Sequence, residues 1–327
     1  MERLDAFMAR ANAAYYATRD PFADFTTSPE ISQVFGEVLG LWAAVTWEAM
    51  GRPSPVLLAE CGPGRGTLMA DALRAVGGVA PAFRAALRLH LVETSPRLRA
   101  IQAAKLPDAE WHEAVSDVPA GPLLLLANEF LDALPIRQFV RRGDGWTERF
   151  VDGAAFVELP APSPQDDAPG DVPDGATVER CDPALDVVGA LAARLASQGG
   201  AALFLDYGRA ESGPGDTLQA LRDGRPAPPL EHPGEADLTA HVDFAALARA
   251  ARAAGAAVHG PVPQGRFLAA LGLFQRTDRL ARTRPPARAA ALVQAAQRLA
   301  EPDRMGKLFK ALCVCHPSLP IPAGFET

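Results

Sequence analysis

The sequence predicts an α/β protein built around a parallel sheet. Three apolar runs carry this prediction, at residues 56–59, 87–92 and 122–127. Helix-like segments follow the first two runs, at residues 67–73 and 96–105. Runs that are apolar throughout are typical of parallel strands, because such strands are buried on both faces of their sheet. Strands that alternate with helices along the chain indicate an α/β sheet with helices packed on both faces.

The length and composition are those of a globular protein. The chain has 327 residues, enough for one large domain with insertions or for two smaller domains. Hydrophobic residues make up 48% of it and charged residues 22%, which excludes a disordered or fibrous chain. A net charge of −7 argues against a dedicated nucleic-acid-binding protein, since phosphate is neutralised by a basic excess. We also expect no membrane span, because every apolar run is too short.

The cysteines offer no disulfide framework. Cys61, Cys181, Cys313 and Cys315 include no CxxC pair, and the acidic N-terminal residues are unlike a secretory signal. We therefore expect a bacterial protein of the reducing cytoplasm. Cys313 and Cys315 with His316 could be metal ligands, but two small residues on one face of a buried strand explain the pair better. We expect no metal site.

We expect six segments along the chain. They are an N-terminal helical segment (residues 1–52), the first part of the sheet core (53–135), an inserted antiparallel β meander with a loop (136–182), the second part of the core (183–263), a helical subdomain (264–305), and the last core strand with the tail (306–327).

Local patterns predict the elements within these segments. Helix-period apolar positions after a cap-like segment predict a helix that begins at Pro29. Strand-like segments at 136–141, 146–152 and 155–159, separated by Gly-Asp turns, predict the meander. Residues 160–175, rich in Pro, Asp and Ala, are expected to form an exposed, poorly ordered loop. The remaining predictions are a helix at 183–197, a strand at 201–205, a polar loop to 238, a helix at 244–254, a strand at 256–262, a helical stretch at 264–300 and a strand at 308–314.

A glycine-rich loop follows the first predicted strand. Gly62, Gly64 and Gly66 lie in the sequence ECGPGRGT, between that strand and a helix. Because glycine has no Cβ, a ligand can approach this backbone closely. A dinucleotide fingerprint, Gly-x-Gly-x-x-Gly, would place its third glycine where this chain has Thr67. The loop also lacks the Gly-Lys-Ser/Thr of a Walker phosphate loop.

Glu60, directly before this loop, favours a cofactor with a cationic end. In a dinucleotide-binding protein the helix after the loop receives pyrophosphate, which a carboxylate here would repel. S-adenosyl-L-methionine (SAM) carries an ammonium group and a sulfonium but no phosphate, so Glu60 suits its methionine end. We therefore predict SAM as the cofactor and S-adenosyl-L-homocysteine as the product, with a dehydrogenase as the distant alternative.

Glu93 follows the second predicted strand. A carboxylate at this position can accept hydrogen bonds from both ribose hydroxyl groups, as the equivalent acid does in nucleotide-binding folds. The alternative is a solvated glutamate that caps the next helix. The acidic glycine loop one βα unit earlier favours the ribose role.

Polar residues also follow the third predicted strand, where Asn128, Glu129 and Asp132 lie just beyond the apolar run. In open α/β sheets, ligands bind along this edge. Together with other blocks, this segment resembles the MidA family, in order from about Tyr15 to Phe309. The blocks are residues 24–32 (DFTTSPEIS), 60–68 (ECGPGRGTL), 127–135 (ANEFLDALP), 206–208 (DYG), 236–244 (ADLTAHVDF) and 305–307 (MGK).

The resemblance implies a class I, Rossmann-like methyltransferase fold with SAM as cofactor. For the mitochondrial member of the family it implies symmetric dimethylation of an arginine in a quinone-module subunit of respiratory complex I, which aids complex I assembly. We therefore expect a protein substrate. The chain departs from the family at residues 21–23, Pro-Phe-Ala, where glycines are usual.

An arginine acceptor needs carboxylates because its guanidinium stays protonated at neutral pH. Paired hydrogen bonds to a carboxylate fix the guanidinium plane and draw positive charge toward the nitrogens that do not react. Glu129 is the first candidate for this role and Asp132 the second, with Asn128 beside them. The alternative is that Asn128 and Glu129 cap the next helix and contact the cofactor.

Further residues are candidates for the same pocket. Ser28 and Glu30 are expected to contact the cofactor, and Asp206 to line the pocket. His241 could serve as a base, although a hydrogen-bonded structural histidine is an equal alternative. The segments at 136–159 and 264–300 lie outside a minimal cofactor fold, so they offer surface to a protein substrate or to a second subunit. A non-catalytic assembly factor that binds SAM is the other class of function.

Overall fold

The computed structural model describes residues 1–19, 26–164 and 172–326. The chain forms two compact units. Unit 1 comprises Met1–Thr26, Phe130–Val188 and Gly208–Arg249, and unit 2 comprises Thr27–Glu129, Gly189–Tyr207 and Ala250–Thr327. Within the described ranges, no helix is both long enough and apolar enough to cross a membrane.

Eleven α-helices are present in the described residues. They are α1 (Leu4–Thr18), α2 (Ser28–Ile31), α3 (Gln33–Ala49), α4 (Thr67–Val79), α5 (Pro81–Ala86), α6 (Pro96–Lys105), α7 (Asp182–Gln198), α8 (Phe244–Ala253), α9 (Gln264–Ala270), α10 (Leu273–Ala281) and α11 (Pro286–Ala300).

The strands of the same residues form three sheets. They are β1 (Glu2–Arg3), β2 (Val56–Cys61), β3 (Leu87–Val92), β4 (Glu110–His112), β5 (Leu123–Asn128), β6 (Arg137–Arg142), β7 (Gly145–Asp152), β8 (Ala155–Ala161), β9 (Thr177–Arg180), β10 (Gly200–Arg209), β11 (Gln219–Arg222), β12 (Arg225–Ala227), β13 (Asp237–Thr239), β14 (Val242–Asp243), β15 (Ala257–Pro263) and β16 (Phe309–Cys315).

Unit 2 is built on one mixed sheet with the strand order β15-β16-β10-β5-β2-β3-β4. The five strands from β10 to β4 are parallel, and β16 and β15 add antiparallel strands at the other edge. Every residue of β2 and β5 is buried, which explains why their sequences are almost wholly apolar. Because β2, β3 and β5 are parallel, their carboxyl ends lie along one edge of the sheet. The polar residues that end or follow these strands lie at this edge.

Two glycines let α3 and α4 pack closely in unit 2. A Cβ on Gly36 would lie 2.7 Å from the carbonyl oxygen of Leu68, and one on Gly40 would lie 2.7 Å from Cα of Ala72. Both distances are shorter than a side chain tolerates, so the helices can approach this closely only with glycine at these positions. This contact places α2 and α3 against the helix that follows the glycine loop.

Unit 1 contains the predicted antiparallel meander. Strands β6, β7 and β8 pair in antiparallel order, which confirms that prediction, and β9 and β1 extend the sheet. Strands β11, β12 and β13 form a second, three-stranded sheet. The unit has its own core, in which Phe7 and Met8 of α1 pack with Ile136, Val151 and Leu238.

Two sequence predictions about elements were wrong. The helix that was expected to begin at Pro29 is interrupted at Ser32, which has an extended backbone and accepts the N–H of Val34 on its side chain at 3.2 Å. The polar loop after residue 209 instead contains β11, β12 and β13. The predicted helical stretch at 264–300 is confirmed, and it consists of three helices because Gly272 has a φ of 88° and prolines begin α11.

Other predicted features fall partly outside the described residues. Part of the expected poorly ordered loop at 160–175 lies there, as do the residues 21–23 at which the chain departs from the MidA family.

Cys313 and Cys315 are fully buried in β16, as expected for two small residues in a core strand.

Candidate functional site

The glycine loop connects β2 to α4, and its backbone shape requires glycine. Gly62, Gly64 and Gly66 have φ angles of 61°, 54° and 71°, a region in which a Cβ is strained. The N–H of Gly62 donates to the carbonyl oxygen of Val92 at the end of β3, at 3.1 Å. A Cβ on Gly66 would lie 3.1 Å from Cδ1 of Leu106. The loop therefore presents bare backbone where β2 and β3 end.

Glu60 is a buried carboxyl group within β2. It is 3% exposed, and its Oε2 has no hydrogen-bond partner in the part of the chain that the structure describes. Burial raises the pKa of Glu60 to about 8, and a hydrogen bond from the backbone of Met69 offsets this only in part. A buried oxygen without a partner is costly, so a cationic N–H donor bound here would stabilise the carboxylate.

Gln102 of α6 joins the glycine loop to Glu93. Its Nε2 donates to the carbonyl oxygen of Gly64 at 2.8 Å and to Oε2 of Glu93 at 3.3 Å. Trp111 fixes the amide from the other side by donating to its Oε1 at 2.8 Å. Gln102 thus sets the position of Glu93 relative to the loop.

Sequence reasoning missed Gln102, although a signal was present. Leu98, Gln102 and Leu106 follow one another at intervals of four, so they share one face of a helix. All three are buried, and Gln102 is the polar member of this apolar face. A polar residue in such a position is usually held by specific hydrogen bonds.

Glu93 directly follows β3 and is 9% exposed. Its Oε1 accepts the N–H of Ser95 at 2.8 Å, and burial raises the pKa of its carboxyl group. The alternative role in capping α6 is filled by Ser95, whose Oγ accepts the N–H of Leu98 at 3.4 Å.

Glu129 lies at the end of β5 and is held by two hydrogen bonds to one oxygen. Its Oε1 accepts the backbone N–H of Ser28 at 2.9 Å and Nδ2 of Asn128 at 3.0 Å. Desolvation raises the pKa of Glu129, while these bonds and the charge of Arg298 lower it. Its φ of 50° is unusual for a residue with a Cβ, and such strain is concentrated at functional sites.

A further polar atom of this group lacks a partner. Oδ1 of Asn128 is buried and makes no hydrogen bond with any described residue. Like Oε2 of Glu60, it is a buried polar atom of a predicted site residue that a ligand could satisfy.

Glu30 ties α2 to the start of α4. Its Oε1 accepts a hydrogen bond from Oγ1 of Thr67 at 2.6 Å, and Nζ of Lys105 donates to the same hydroxyl group at 3.0 Å. The predicted contact between Glu30 and the cofactor remains a prediction, and the observed role of Glu30 is to anchor the residue that follows the glycine loop.

The predicted site residues divide between the units. Ser28, Glu30, the glycine loop with Glu60, Glu93, and Asn128 with Glu129 all belong to unit 2. Asp206 also belongs to unit 2, where it is 1% exposed and its Oδ1 accepts the N–H of Tyr207 at 2.9 Å.

Asp132 and His241 belong to unit 1. The carbonyl oxygen of Asp132 accepts the N–H of Ala240 at 3.0 Å, and the N–H of His241 donates to Oγ1 of Thr217 at 2.8 Å. These backbone contacts fix both residues within unit 1, and their predicted catalytic roles stay predictions.

A family model matches most of this chain. The family is described as "Putative S-adenosyl-L-methionine-dependent methyltransferase", and the match covers residues 38–262. It includes the glycine loop, Glu60, Glu93 and Glu129.

Curated relatives match over nearly the whole chain. The human protein named "Protein arginine methyltransferase NDUFAF7, mitochondrial" is 35% identical over 336 residues, which is 90% of this chain and 75% of that protein. The zebrafish (Danio rerio) protein of the same name is 35% identical over 335 residues, 92% of this chain and 79% of that protein. The rat (Rattus norvegicus) protein is 37% identical over 331 residues, 90% of this chain and 76% of that protein.

Solved structures share the fold. A crystal structure from Burkholderia thailandensis, with S-adenosyl-homocysteine bound, has a TM-score of 0.76 and 26% identity, covering 99% of this chain and 88% of that one. A native structure from the same organism has a TM-score of 0.78 and 29% identity with the same coverage. These neighbours confirm the predicted fold class and cofactor.

The comparisons overturn one prediction from the sequence. The cysteine pattern and N-terminal residues suggested a bacterial, cytoplasmic protein, whereas the matched curated relatives are named as mitochondrial proteins. The cytoplasmic assignment was therefore wrong. Free cysteines and the start of a sequence do not distinguish one reducing compartment from another.

Proposed function

The chain belongs to the S-adenosyl-L-methionine-dependent methyltransferase family matched over residues 38–262, as its resemblance to the MidA family indicated, and we propose that it methylates an arginine side chain of a protein. The curated relatives named as protein arginine methyltransferases, at 35% to 37% identity over at least 90% of the chain, support this acceptor.

The residues at the ends of β2 and β3 fit the cofactor. Glu60 offers a buried carboxyl oxygen without a partner to the ammonium group, and the glycine loop leaves room beside its backbone. Glu93, fixed through Gln102, offers a carboxylate to the ribose hydroxyl groups. When bound, the cofactor supplies a methyl carbon that its sulfonium makes electrophilic.

The hydrogen bonding of Glu129 is the observation that carries the proposed reaction. The backbone N–H of Ser28 and Nδ2 of Asn128 both donate to Oε1, and in this proposal Oε2 accepts an N–H of the substrate guanidinium. A carboxylate held in one orientation can fix the plane of a guanidinium and draw its charge toward the nitrogens that do not react. The reacting nitrogen must also lose a proton, and the raised pKa of Glu129 suits Oε2 to accept it.

Asn128 and Asp132 have supporting roles in this proposal. Asn128 orients Glu129 through Nδ2, and its Oδ1 remains to accept an N–H from a ligand. Asp132, predicted from the sequence as a second carboxylate for the guanidinium, belongs to unit 1, and its role stays a prediction.

We further propose that the acceptor lies in a quinone-module subunit of respiratory complex I and that methylation aids complex I assembly. This target follows from the resemblance to the MidA family. The acidic balance of −7 suits an arginine-bearing partner, since long-range attraction raises encounter rates. A homodimer formed through the segments outside the cofactor fold remains a prediction.

The test is to incubate the purified protein and methyl-labelled SAM with complex I subunits from cells that lack the gene. We expect label on an arginine of one subunit, located by mass spectrometry, and loss of that modification in the deletion strain. Identical arginine methylation with and without the gene would reject the complex I target. Cofactor binding without transfer to any lysate protein would favour the non-catalytic assembly factor.

A further inference from the structure

Two histidines and a glutamate lie together at an edge of the sheet in unit 2. His90 is on β3, and Glu110 and His112 are on the edge strand β4. In the parallel pairing of these strands, His90 lies opposite Glu110 and Val92 lies opposite His112. Residues two apart on a strand point to the same face, so all three side chains share one face of the sheet.

The side chains are close enough to share one ion. Nδ1 of His90 lies 2.9 Å from Nε2 of His112 and 3.9 Å from Oε2 of Glu110. One possible ligand atom from each residue lies within 4.8 Å of the other two. Cys313, Cys315 and His316, considered as ligands from the sequence, form no such group among the described residues.

A hydrogen bond between the two rings does not fully account for the pair. His90 is 2% exposed, and its Nε2 has no hydrogen-bond partner in the described part of the chain. The bond to His112 must therefore offset the burial of the whole imidazole, and one neutral hydrogen bond contributes little net stability. A metal bond at Nδ1 would leave Nε2 as it is, but it would replace this weak bond with a stronger one at the nitrogen that faces His112 and Glu110.

We propose that His90, Glu110 and His112 bind a zinc ion. Two imidazole nitrogens and one carboxylate oxygen are typical zinc ligands, whereas Mg²⁺ and Ca²⁺ prefer oxygen alone. Zinc–nitrogen bonds of about 2.0–2.1 Å in a tetrahedron hold the two nitrogens about 3.3 Å apart. The rings need to separate by only a few tenths of an ångström from their present 2.9 Å.

The site is open on one side. The side chain of Glu110 is 67% exposed, so it can turn toward an ion that enters from solvent. The negative charge of Glu110 balances part of the charge of the ion. It also offsets the positive charge of Arg194, which acts on His90. The fourth coordination position is left to water.

Zinc at this site would join β4 to the sheet next to the proposed cofactor residues. β4 is only three residues long. The carbonyl oxygen of His112 accepts the N–H of Glu93 at 3.0 Å and Nη2 of Arg99 at 3.1 Å. An ion that fixes His112 therefore stabilises the end of β3, so we expect zinc to raise the unfolding temperature.

The test is a zinc titration of the full, untagged protein against a chromophoric chelator at neutral pH. We expect one zinc ion per chain with a dissociation constant of about 1 µM or lower. His112→Ala should weaken binding at least about a hundredfold, and Glu110→Gln about tenfold or more. His316→Ala is the matched control, since that ring bonds to Ser318 outside the cluster, and it should bind zinc as the wild type does.

If His112→Ala does not fold, Glu110→Gln still tests the site, because the exposed side chain of Glu110 is not needed for folding. Co²⁺ should give the intense visible absorption of a tetrahedral site in the wild type and in His316→Ala, and not in His112→Ala. Equal zinc affinity in all four proteins would overturn the proposal, as would a folded wild type that binds no zinc. None of these measurements uses methyl transfer, so their failure leaves the proposed function unaffected.

Discussion

The backbone N–H of Ser28 donates a 2.9 Å hydrogen bond to the carboxylate of Glu129, across 101 residues of sequence. This bond joins the short helix α2 to the end of β5. It fixes the orientation of the Glu129 carboxylate, which is the preorganisation that the proposed role in methyl transfer requires.

Glu129→Gln should separate binding from chemistry. The variant keeps the size and a carbonyl acceptor for Ser28 but loses the charge that holds a guanidinium. We expect methyl transfer to fall by about two orders of magnitude or more while cofactor affinity is retained. Single-turnover assays and calorimetry with S-adenosyl-homocysteine measure the two quantities.

The control for this prediction is Glu48→Gln, an exposed residue of α3, which should change neither quantity. The wild-type rate should also fall as the pH drops, and at a higher pH than an ordinary glutamate would cause, because desolvation raises the pKa of Glu129. Equal losses of binding and turnover in Glu129→Gln would assign Glu129 to the cofactor site.

Gly64→Ala should weaken cofactor binding at least tenfold. The φ of 54° at this position costs a residue with a Cβ about 1–2 kcal/mol, so the loop shifts or loses the backbone surface that faces the cofactor. Gly77→Ala is a matched control in α4, where a new Cβ meets nothing within 4 Å. It should stabilise the protein by about 0.5–1 kcal/mol and leave binding unchanged. A folded Gly64→Ala protein with normal affinity would exclude the loop as the cofactor site.

Glu93→Ala should reduce cofactor affinity by about 1.5–3 kcal/mol, the range for hydrogen bonds to a charged group. Turnover at saturating cofactor should recover, since Glu93 does not act on the methyl acceptor. Gln102→Ala should produce a smaller loss in the same direction, because Glu93 would no longer be fixed to Gly64. Glu113→Ala, at an exposed position nearby in the sequence, is the control. Normal affinity with reduced stability in Glu93→Ala would support the helix-capping role instead.

Cofactor binding should release a proton through Glu60. With a pKa of about 8, Glu60 is mostly protonated at pH 7 in the free protein, and an ammonium group beside it stabilises the ionised form. We expect affinity to rise about tenfold per pH unit below pH 8 and to level off above it. Calorimetry in buffers of different ionisation enthalpy should detect about one proton released at pH 7, and none for Glu60→Gln.

The burial of Glu60 also predicts how the stability of the cofactor-free protein changes with pH. Its folded-state pKa is raised, so its contribution to stability is fully present below the unfolded-state pKa and is lost as the pH rises through about 8. Denaturant unfolding of wild type and Glu60→Gln between pH 5 and 9 measures this difference. A pH profile that is the same for both proteins would contradict the burial of an ionisable group at this position.

The central sheet and the identity of the cofactor could be predicted from the sequence alone. β3 and α6 lie at the predicted residues, because an apolar run followed by a helix-like segment is a local signal. The glycine loop, Glu60 and Glu93 were predicted as the cofactor site from their spacing, their charge and their position at strand ends, where ligands of such sheets bind.

Only the tertiary structure determined how these groups are held. Gln102, the Ser28 to Glu129 bond and the His90 cluster join residues that the sequence separates by between 9 and 101 positions. Strands β11 to β13 were also missed, because the segment that contains them is polar and rich in turn residues. Strand pairing there comes from packing against the unit 1 core, which includes Ala220 and Leu238. A local pattern specifies which residues are polar or buried, but hydrogen bonds between distant segments depend on the packing that brings them together.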